Sequence, residues 1–286
     1  MLVALVTGGA SGIGLATVQH LVQDGFNVCV MDINQSLEKG LVDKFGDRIL
    51  FHCGNVTKYE DQAEAFKRTF EKWGQLDFVF ANAGIGDRVD FCTPVEAVDG
   101  SPPRCDTLVL DVCVYGVVWT SYLSLYYFRQ NKSKKGQLVM TSSLAGLYPA
   151  APVPLYGAAK HAVIGLGRSL AKRLQELNEP ISVNVVCPGY VTTPLVSQRL
   201  TKVLPEDMIT PADTIVSAIK GFLAAPESTG IVAECSGKDI IYRDAPSYGN
   251  RQSEYFAEGQ YKSLINEDEI MRDSAEKGKL LSKMET

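Results

Sequence analysis

Histidine is scarce in this chain: three residues in 286 (His20, His52 and His161), none at metal-ligand spacing from another. No Cys-x-x-Cys pair occurs either, so no metal site is expected. The seven cysteines are odd in number and irregularly spaced, which argues against a disulfide framework. Cys29, Cys53 and Cys187 sit in apolar runs that read as strands and are expected as buried, reduced thiols. A basic surplus is also lacking. With 28 Lys and Arg against 33 Asp and Glu, the formal net charge is −5, which argues against a nucleic-acid surface. A small anion remains possible, because one helix N-terminus can bind phosphate inside an acidic protein. The first apolar run follows Met1 with no basic stretch before it, so no secretory signal is expected, nor is prenylation; no internal repeat or low-complexity block is seen in the sequence. A cytoplasmic protein is expected.

What is present is a rhythm. Short β-rich apolar runs at 2–7, 26–32, 49–53, 76–81, 136–141 and 181–186 alternate with amphipathic stretches near 13–24, 35–45, 58–73, 105–130 and 155–177. Alternation of this kind predicts an α/β fold: a single Rossmann-type, doubly wound parallel sheet with helices on both faces. Two segments interrupt it. Residues 85–104 carry Gly86, Pro94, Gly100, Pro102 and Pro103 and read as a loop. Residues 190–210 follow Pro188-Gly189 and read as a mobile flap. Residues 214–223 read as a helix, and 230–242 as an edge strand turning at Ser236-Gly237. The domain is expected to span 1–246. A polar tail occupies 247–286, its charged part 262–286 forming an arm or surface helix. Thr107 to Phe128 is long and apolar enough to span a bilayer. Asp111, Gly116 and the flanking α/β pattern favour a buried or interface helix instead, so no membrane partner is expected.

The first strand runs into Thr7-Gly8-Gly9-Ala10-Ser11-Gly12-Ile13-Gly14, and a helix follows at once. Glycines at a strand-to-helix turn let the backbone approach a pyrophosphate, with free N–H groups of the helix start facing the anion. Asp32 ends the second strand, 18 residues after Gly14, where its carboxylate would accept hydrogen bonds from an adenosine ribose. The alternative is a strand-end Asp that caps the helix starting near Ser36. A 2′-phosphate would be repelled by Asp32, and no Lys or Arg lies at 9–12 or 33–35 to receive it. NAD is therefore expected rather than NADP.

Tyr156 and Lys160 stand four apart at the start of a helical stretch and share one face. An ammonium beside a phenol favours the phenolate and yields a general acid/base for an alcohol. Ser143 closes the fifth strand and could bond the same oxygen. These motifs, together with Asn82-Ala83-Gly84, Ser142-Ser143-Leu144-Ala145-Gly146, Tyr156-Gly-Ala-Ala-Lys160 and Pro188-Gly189, occur in the order and at the spacings of the short-chain dehydrogenase/reductase family, which residues 1–245 resemble. Within that family, Ser-Ser-Leu-Ala-Gly-Leu, Tyr-x-Ala-x-Lys-His and Cys-Pro-Gly-Tyr-Val are similar to hydroxyprostaglandin dehydrogenase-type members.

The resemblance implies an NAD-dependent alcohol–ketone oxidoreductase. Tyr156 would be its acid/base, Lys160 would also hold the nicotinamide ribose, and Ser143 would position the substrate oxygen. Gly8, Ser11, Gly12, Ile13 and Gly14 would line the pyrophosphate, and Asn55-Val56 the adenine. Asn82, Ala83 and Gly84 would border the cofactor. Pro188, Gly189, Val191 and Thr192 would meet the nicotinamide end. The resemblance also implies a homodimer or homotetramer built through the helices at 105–130 and 155–177. One departure stands out: Cys113 occupies the place of an Asn that holds a water in the family's proton relay. Either the relay is impaired, since a thiol is a weak donor and acceptor, or Cys113 packs in the core. The aromatic run Tyr122, Tyr126, Tyr127 and Phe128 reads as core or subunit packing in preference to a ligand pocket. Apolar residues of the flap (Leu195, Val196, Leu200, Val203, Leu204, Met208, Ile209) and the stretch Pro149 to Pro154 point to a bulky lipophilic substrate of terpenoid, steroid, polyketide or fatty-acid type. Two other readings stay open: an NAD-binding sensor or scaffold without redox chemistry, and a redox-neutral isomerase or cyclase.

Overall fold

In the computed structural model, which describes residues 2–196 and 198–260, eight strands form one sheet. They are β1 (Val3–Thr7), β2 (Asn27–Asp32), β3 (Ile49–Cys53), β4 (Phe78–Ala81), β5 (Gly136–Thr141), β6 (Ile181–Pro188), β7 (Val232–Ser236) and β8 (Asp239–Arg243). Their order is β3-β2-β1-β4-β5-β6-β7-β8. The first seven are parallel and β8 is antiparallel. The winding direction reverses between β1 and β4, and such a switch opens a crevice at the C-terminal ends of the strands.

Alternation along each strand builds the two cores. Val3 and Leu5 of β1 face one side with α3 (Tyr59–Trp73), α5 (Gly116–Gln130) and α6 (Pro154–Glu176). Ala4 and Val6 face the other with α1 (Gly12–Gln23), α2 (Glu38–Phe45) and α8 (Ala212–Ala224). Because both faces are covered, the parallel strands read as nearly unbroken apolar runs. The helices start where their caps allow. α2 is preceded by a 3-10 turn (Gln35–Leu37) capped by Asn34, so the regular helix begins only at Glu38. α4 (Leu108–Leu110) begins later than the pattern near 105 implies, because Asp106 Oδ1 accepts the Leu108 N–H at 2.9 Å. α4, a π-helical turn (Asp111–Tyr115) and α5 run on as one helix, Leu108–Gln130. Its length and mean hydropathy of 1.6 would let it cross a membrane; here it packs on α3, β4 and β5.

The segment 230–242 turns at Ser236-Gly237 as expected, but its two arms pair as a hairpin and only the second lies at the sheet edge. Gly237 turns it at φ +57°, and β7 lies inside the sheet beside β6. Val232 to Cys235 are all buried, which suits an inner strand, and only β8 is left at the edge. The flap 190–210 contains α7 (Gln198–Thr201) and a 3-10 turn (Glu206–Met208), with Tyr190 Oη 2.8 Å from Thr201 Oγ1. The chain divides into two units, Met1–Arg243 and Asp244–Thr286. In the second, Asn250 Oδ1 caps α9 (Arg251–Ala257) by accepting the Ser253 N–H at 2.9 Å. The charged stretch 262–286 lies outside the described residues.

Candidate active site

Every candidate site residue on the first, second, fourth, fifth and sixth strands lies at or just past the strand's C-terminal end, along the crevice edge. In the glycine turn three positions have no room for a side chain. A Cβ on Gly8, at φ +62°, would stand 2.9 Å from Ala83 Cα. One on Gly12, at φ +52°, would meet Thr193 Cγ2 at 2.8 Å. At Gly14 it would fall 2.1 Å from the Gly8 carbonyl oxygen. Ser11 sits at the N-cap of α1 without a side-chain cap bond, and no acidic residue occupies the first turn. The leading amides of α1 are therefore left uncapped by any side chain of the helix's own first turn, a cradle that fits a pyrophosphate.

Asp32 is drawn into this turn. Its Oδ2 accepts the Ala10 N–H and its Oδ1 the Asn34 N–H, both at 3.0 Å. The cap of the following 3-10 turn belongs to Asn34, so Asp32 serves the glycine turn instead. Asn82 braces the other side. Its Nδ2 donates to the Thr7 and Gly8 carbonyls and its Oδ1 accepts from Thr141 Oγ1, each at 3.2 Å. Thr7 Oγ1 in turn accepts the Asn82 and Ala83 N–H groups. Asn55 caps locally, its Oδ1 accepting from the backbone and hydroxyl of Thr57, while Val56 is buried against Gly116.

Lys160 is 2% exposed, unusual for lysine. Its Nζ donates to the Thr141 carbonyl at 2.8 Å and lies 5.4 Å from the centre of the Tyr156 ring. A buried positive charge thus stands next to the half-buried phenol. Ser143 Oγ accepts the Ala145 N–H at 3.2 Å and caps a 3-10 turn, Leu144–Gly146. Ser142, buried, donates to the Lys160 carbonyl at 2.7 Å and ties that turn to α6. Cys113 is fully buried on the π-helical turn and donates to the Ile85 carbonyl at 3.4 Å. Its Sγ and Lys160 Nζ each lie 3.5 Å from where a Gly84 side chain would begin. Cys113 therefore packs in the core and also reaches the ammonium's surroundings.

Pro188 ends β6, the Gly189 N–H donates to the Cys235 carbonyl at 2.7 Å, and Val191 is buried while Thr192 is exposed. Cys29 and Cys187 are buried as expected, and burial pushes the Cys187 thiol up to about 12; Cys53, expected buried, is exposed, because it ends the edge strand β3. Sequence reasoning missed Thr193, which covers Gly12, and Asp87, whose carboxylate accepts the Leu155 and Tyr156 N–H groups. Neither lies in a local motif. Beside Asp87 a groove of about 640 Å³ runs between residues 87–92 and Ala151-Pro152-Val153.

A family model for short chain dehydrogenase matches residues 2–203. The chain belongs to the short-chain dehydrogenase/reductase family. It is accordingly an oxidoreductase of a family that binds a nicotinamide cofactor and acts on CH–OH or related carbonyl groups. It is 38% identical over 225 residues to the short-chain dehydrogenase/reductase prx7 of Penicillium rubens, covering 76% of this chain and 78% of that one. It is 32% identical over 201 residues to a 15-hydroxyprostaglandin dehydrogenase (NAD(+)) of Bos taurus, covering 68% and 69%. The hydroxyprostaglandin dehydrogenase likeness read from the motifs thus holds, alongside fungal relatives. In structure it resembles a 3-ketoacyl-(acyl-carrier-protein) reductase from Brucella melitensis complexed with NADH, with TM-score 0.71, 24% identity and coverage of 82% and 97%. ElxO with NADP bound is similar at TM-score 0.70 and 23% identity, covering 82% and 97%. The residues of the glycine turn and the Tyr156–Lys160 pair fit the family's cofactor.

Proposed function

We propose that this family member is an NAD-dependent dehydrogenase interconverting a bulky lipophilic secondary alcohol and its ketone. The observation that carries the reading is the pairing of a buried Lys160 ammonium with the Tyr156 phenol, at the crevice edge that also holds the glycine turn and, just past β5, Ser143. NAD, when bound, supplies the acceptor for the hydride that leaves the carbinol carbon. In that direction Tyr156 takes the hydroxyl proton as the carbonyl forms, and Ser143 holds the same oxygen. Lys160, anchored by Thr141, keeps positive charge beside the phenol and would hold the nicotinamide ribose. Ala83 and Gly84, just past β4, and Val191-Thr192, past β6, would border the cofactor.

Asp32 supports NAD over NADP, because a 2′-phosphate at the carboxylate would be repelled while ribose hydroxyls could donate to it. The loops leaving the crevice edge support a lipophilic substrate. Phe91, Val95, Val203 and Met208 are all more than half exposed. The charges along the 640 Å³ groove are also internally paired: Arg88 to Asp106 at 3.4 Å, and Asp90 to Thr93 Oγ1 and the Cys92 N–H. Tyr115, Tyr122 and Tyr126, each more than half exposed on one helix, support a homodimer or homotetramer through that face. Seven free thiols support a reducing, cytoplasmic setting.

Tyr156→Phe tests the reading. It is expected to abolish NADH production from menthol, borneol and testosterone, whichever the wild type oxidises, and to leave NADH binding within a few fold. Retained turnover would remove Tyr156 as the acid/base.

A further inference from the structure

The helix that carries Tyr156 and Lys160 has no cap of its own. Its N-cap is Val153, whose side chain accepts nothing, and Pro154 fills the first helical position and offers no N–H. The next two amides are those of Leu155 and Tyr156, and both donate to one carboxylate. Leu155 N–H reaches Asp87 Oδ2 at 3.1 Å and Tyr156 N–H reaches Asp87 Oδ1 at 2.7 Å. Asp87 lies 68 and 69 residues earlier, on the loop that leaves β4 just past Asn82-Ala83-Gly84. That loop is anchored twice more at its base. Arg88 pairs with Asp106 at 3.4 Å, and Asp106 caps the helix that carries Cys113. The segment 87–106 thus holds the start of the helix that carries Lys160 and that of the helix that carries Cys113.

We propose that Asp87 is a positioning residue for the chemical step, fixing Tyr156 from the loop that leaves β4. This rests on Tyr156 being the proton carrier. A carboxylate at a helix start is favoured by the exposed N–H groups and the helix dipole together. Here one of those N–H groups belongs to the residue whose phenol must meet the substrate oxygen. Displacing a reacting group by about 1 Å costs up to about a hundredfold in rate. A side chain that fixes the Tyr156 backbone therefore acts on kcat, without touching substrate or cofactor.

The test compares full-length Asp87→Ala and Asp87→Asn with wild type and Tyr156→Phe, using menthol, borneol and testosterone. Asp87→Ala is expected to lower kcat by about tenfold to a hundredfold, with alcohol KM and NADH affinity unchanged. Asp87→Asn is expected to recover part of the loss, because its amide oxygen still accepts one of the two bonds. An unchanged kcat in Asp87→Ala overturns the proposal. So does a loss that appears wholly in KM and NADH affinity, or an Asn variant as poor as Ala. Should Asp87→Ala not fold, Asp87→Asn alone must lower kcat below wild type. A second readout separates this proposal from the functional reading. In protein labelled with 13C at the tyrosine Cζ, the Tyr156 signal is identified by its loss in Tyr156→Phe. With NADH bound, that signal is expected to move in Asp87→Asn. An unmoved signal overturns the positioning role even where none of the three alcohols is oxidised. Failure of the functional reading shows separately, as retained turnover in Tyr156→Phe.

Discussion

Replacing Asn82 by alanine removes three hydrogen bonds that join the ends of three strands: two donated to the Thr7 and Gly8 carbonyls and one accepted from Thr141. All three are 3.2 Å long, the far end of the ordinary range, so each is worth about 0.5–1 kcal/mol net. Thr7 is buried, and leaving its carbonyl short of a partner adds roughly 1 kcal/mol. Thr141 keeps a rotatable hydroxyl and recovers part of its share. The sum is about 2–3 kcal/mol, or a Tm lower by about 5–10 °C at 2–4 °C per kcal/mol for a domain of this size. The same bonds hold the Gly8 carbonyl, which closes against Gly14 without room for a methyl group. Slackening it is expected to weaken NADH binding by about tenfold, as misplaced donors of the cradle lose contact. Scanning calorimetry measures the first effect and NADH fluorescence titration at low temperature the second. A lower Tm with unchanged NADH affinity would refute the coupling, because the turn would then be held without Asn82. A loss of affinity at unchanged Tm would equally refute it, since Asn82 would then act on the cofactor directly.

Asp32→Ala is expected to weaken NAD relative to NADP by about tenfold to a hundredfold, the worth of hydrogen bonds to a charged acceptor. The ratio is the quantity to measure, since loosening Ala10 burdens both cofactors alike; an unchanged ratio removes the ribose role. Cys113→Asn forces a larger polar group into a fully buried site and is expected to cost about 1–3 kcal/mol in urea unfolding. Its kcat per folded molecule should be equal or higher, because the new amide can still donate to Ile85 and stands beside Lys160; a large fall would assign the thiol a task of its own. Burial, and then the nearby Arg68, hold His52 below its ordinary 6.5, so the unfolded chain takes up a proton that the folded one resists. Stability from His52 is thus present above about pH 6.5 and lost as pH falls through its lower folded value. Tm should decline on acidification in that window and decline less in His52→Gln; equal slopes would refute the assignment.

The strand and helix rhythm, the glycine turn, the reach from Gly14 to Asp32 and the four-residue step from Tyr156 to Lys160 were all legible in the amino-acid order. Each is local. Periodicity, backbone freedom and helical spacing act over a few residues to a few tens of residues, and they determine which groups stand at the strand ends. The partners of those groups were settled only by the tertiary structure. Asp87 reaches amides 68 and 69 residues away, Asn82 bridges back to Thr7, and the Cys113 thiol comes to the surroundings of Lys160. Likewise, that Val232–Ser236 runs inside the sheet, and not along its edge, depended on which strand it met. A carboxylate or an amide can bond any free N–H or C=O. The tertiary fold brings one of them within hydrogen-bonding distance, and no spacing along the chain records that choice.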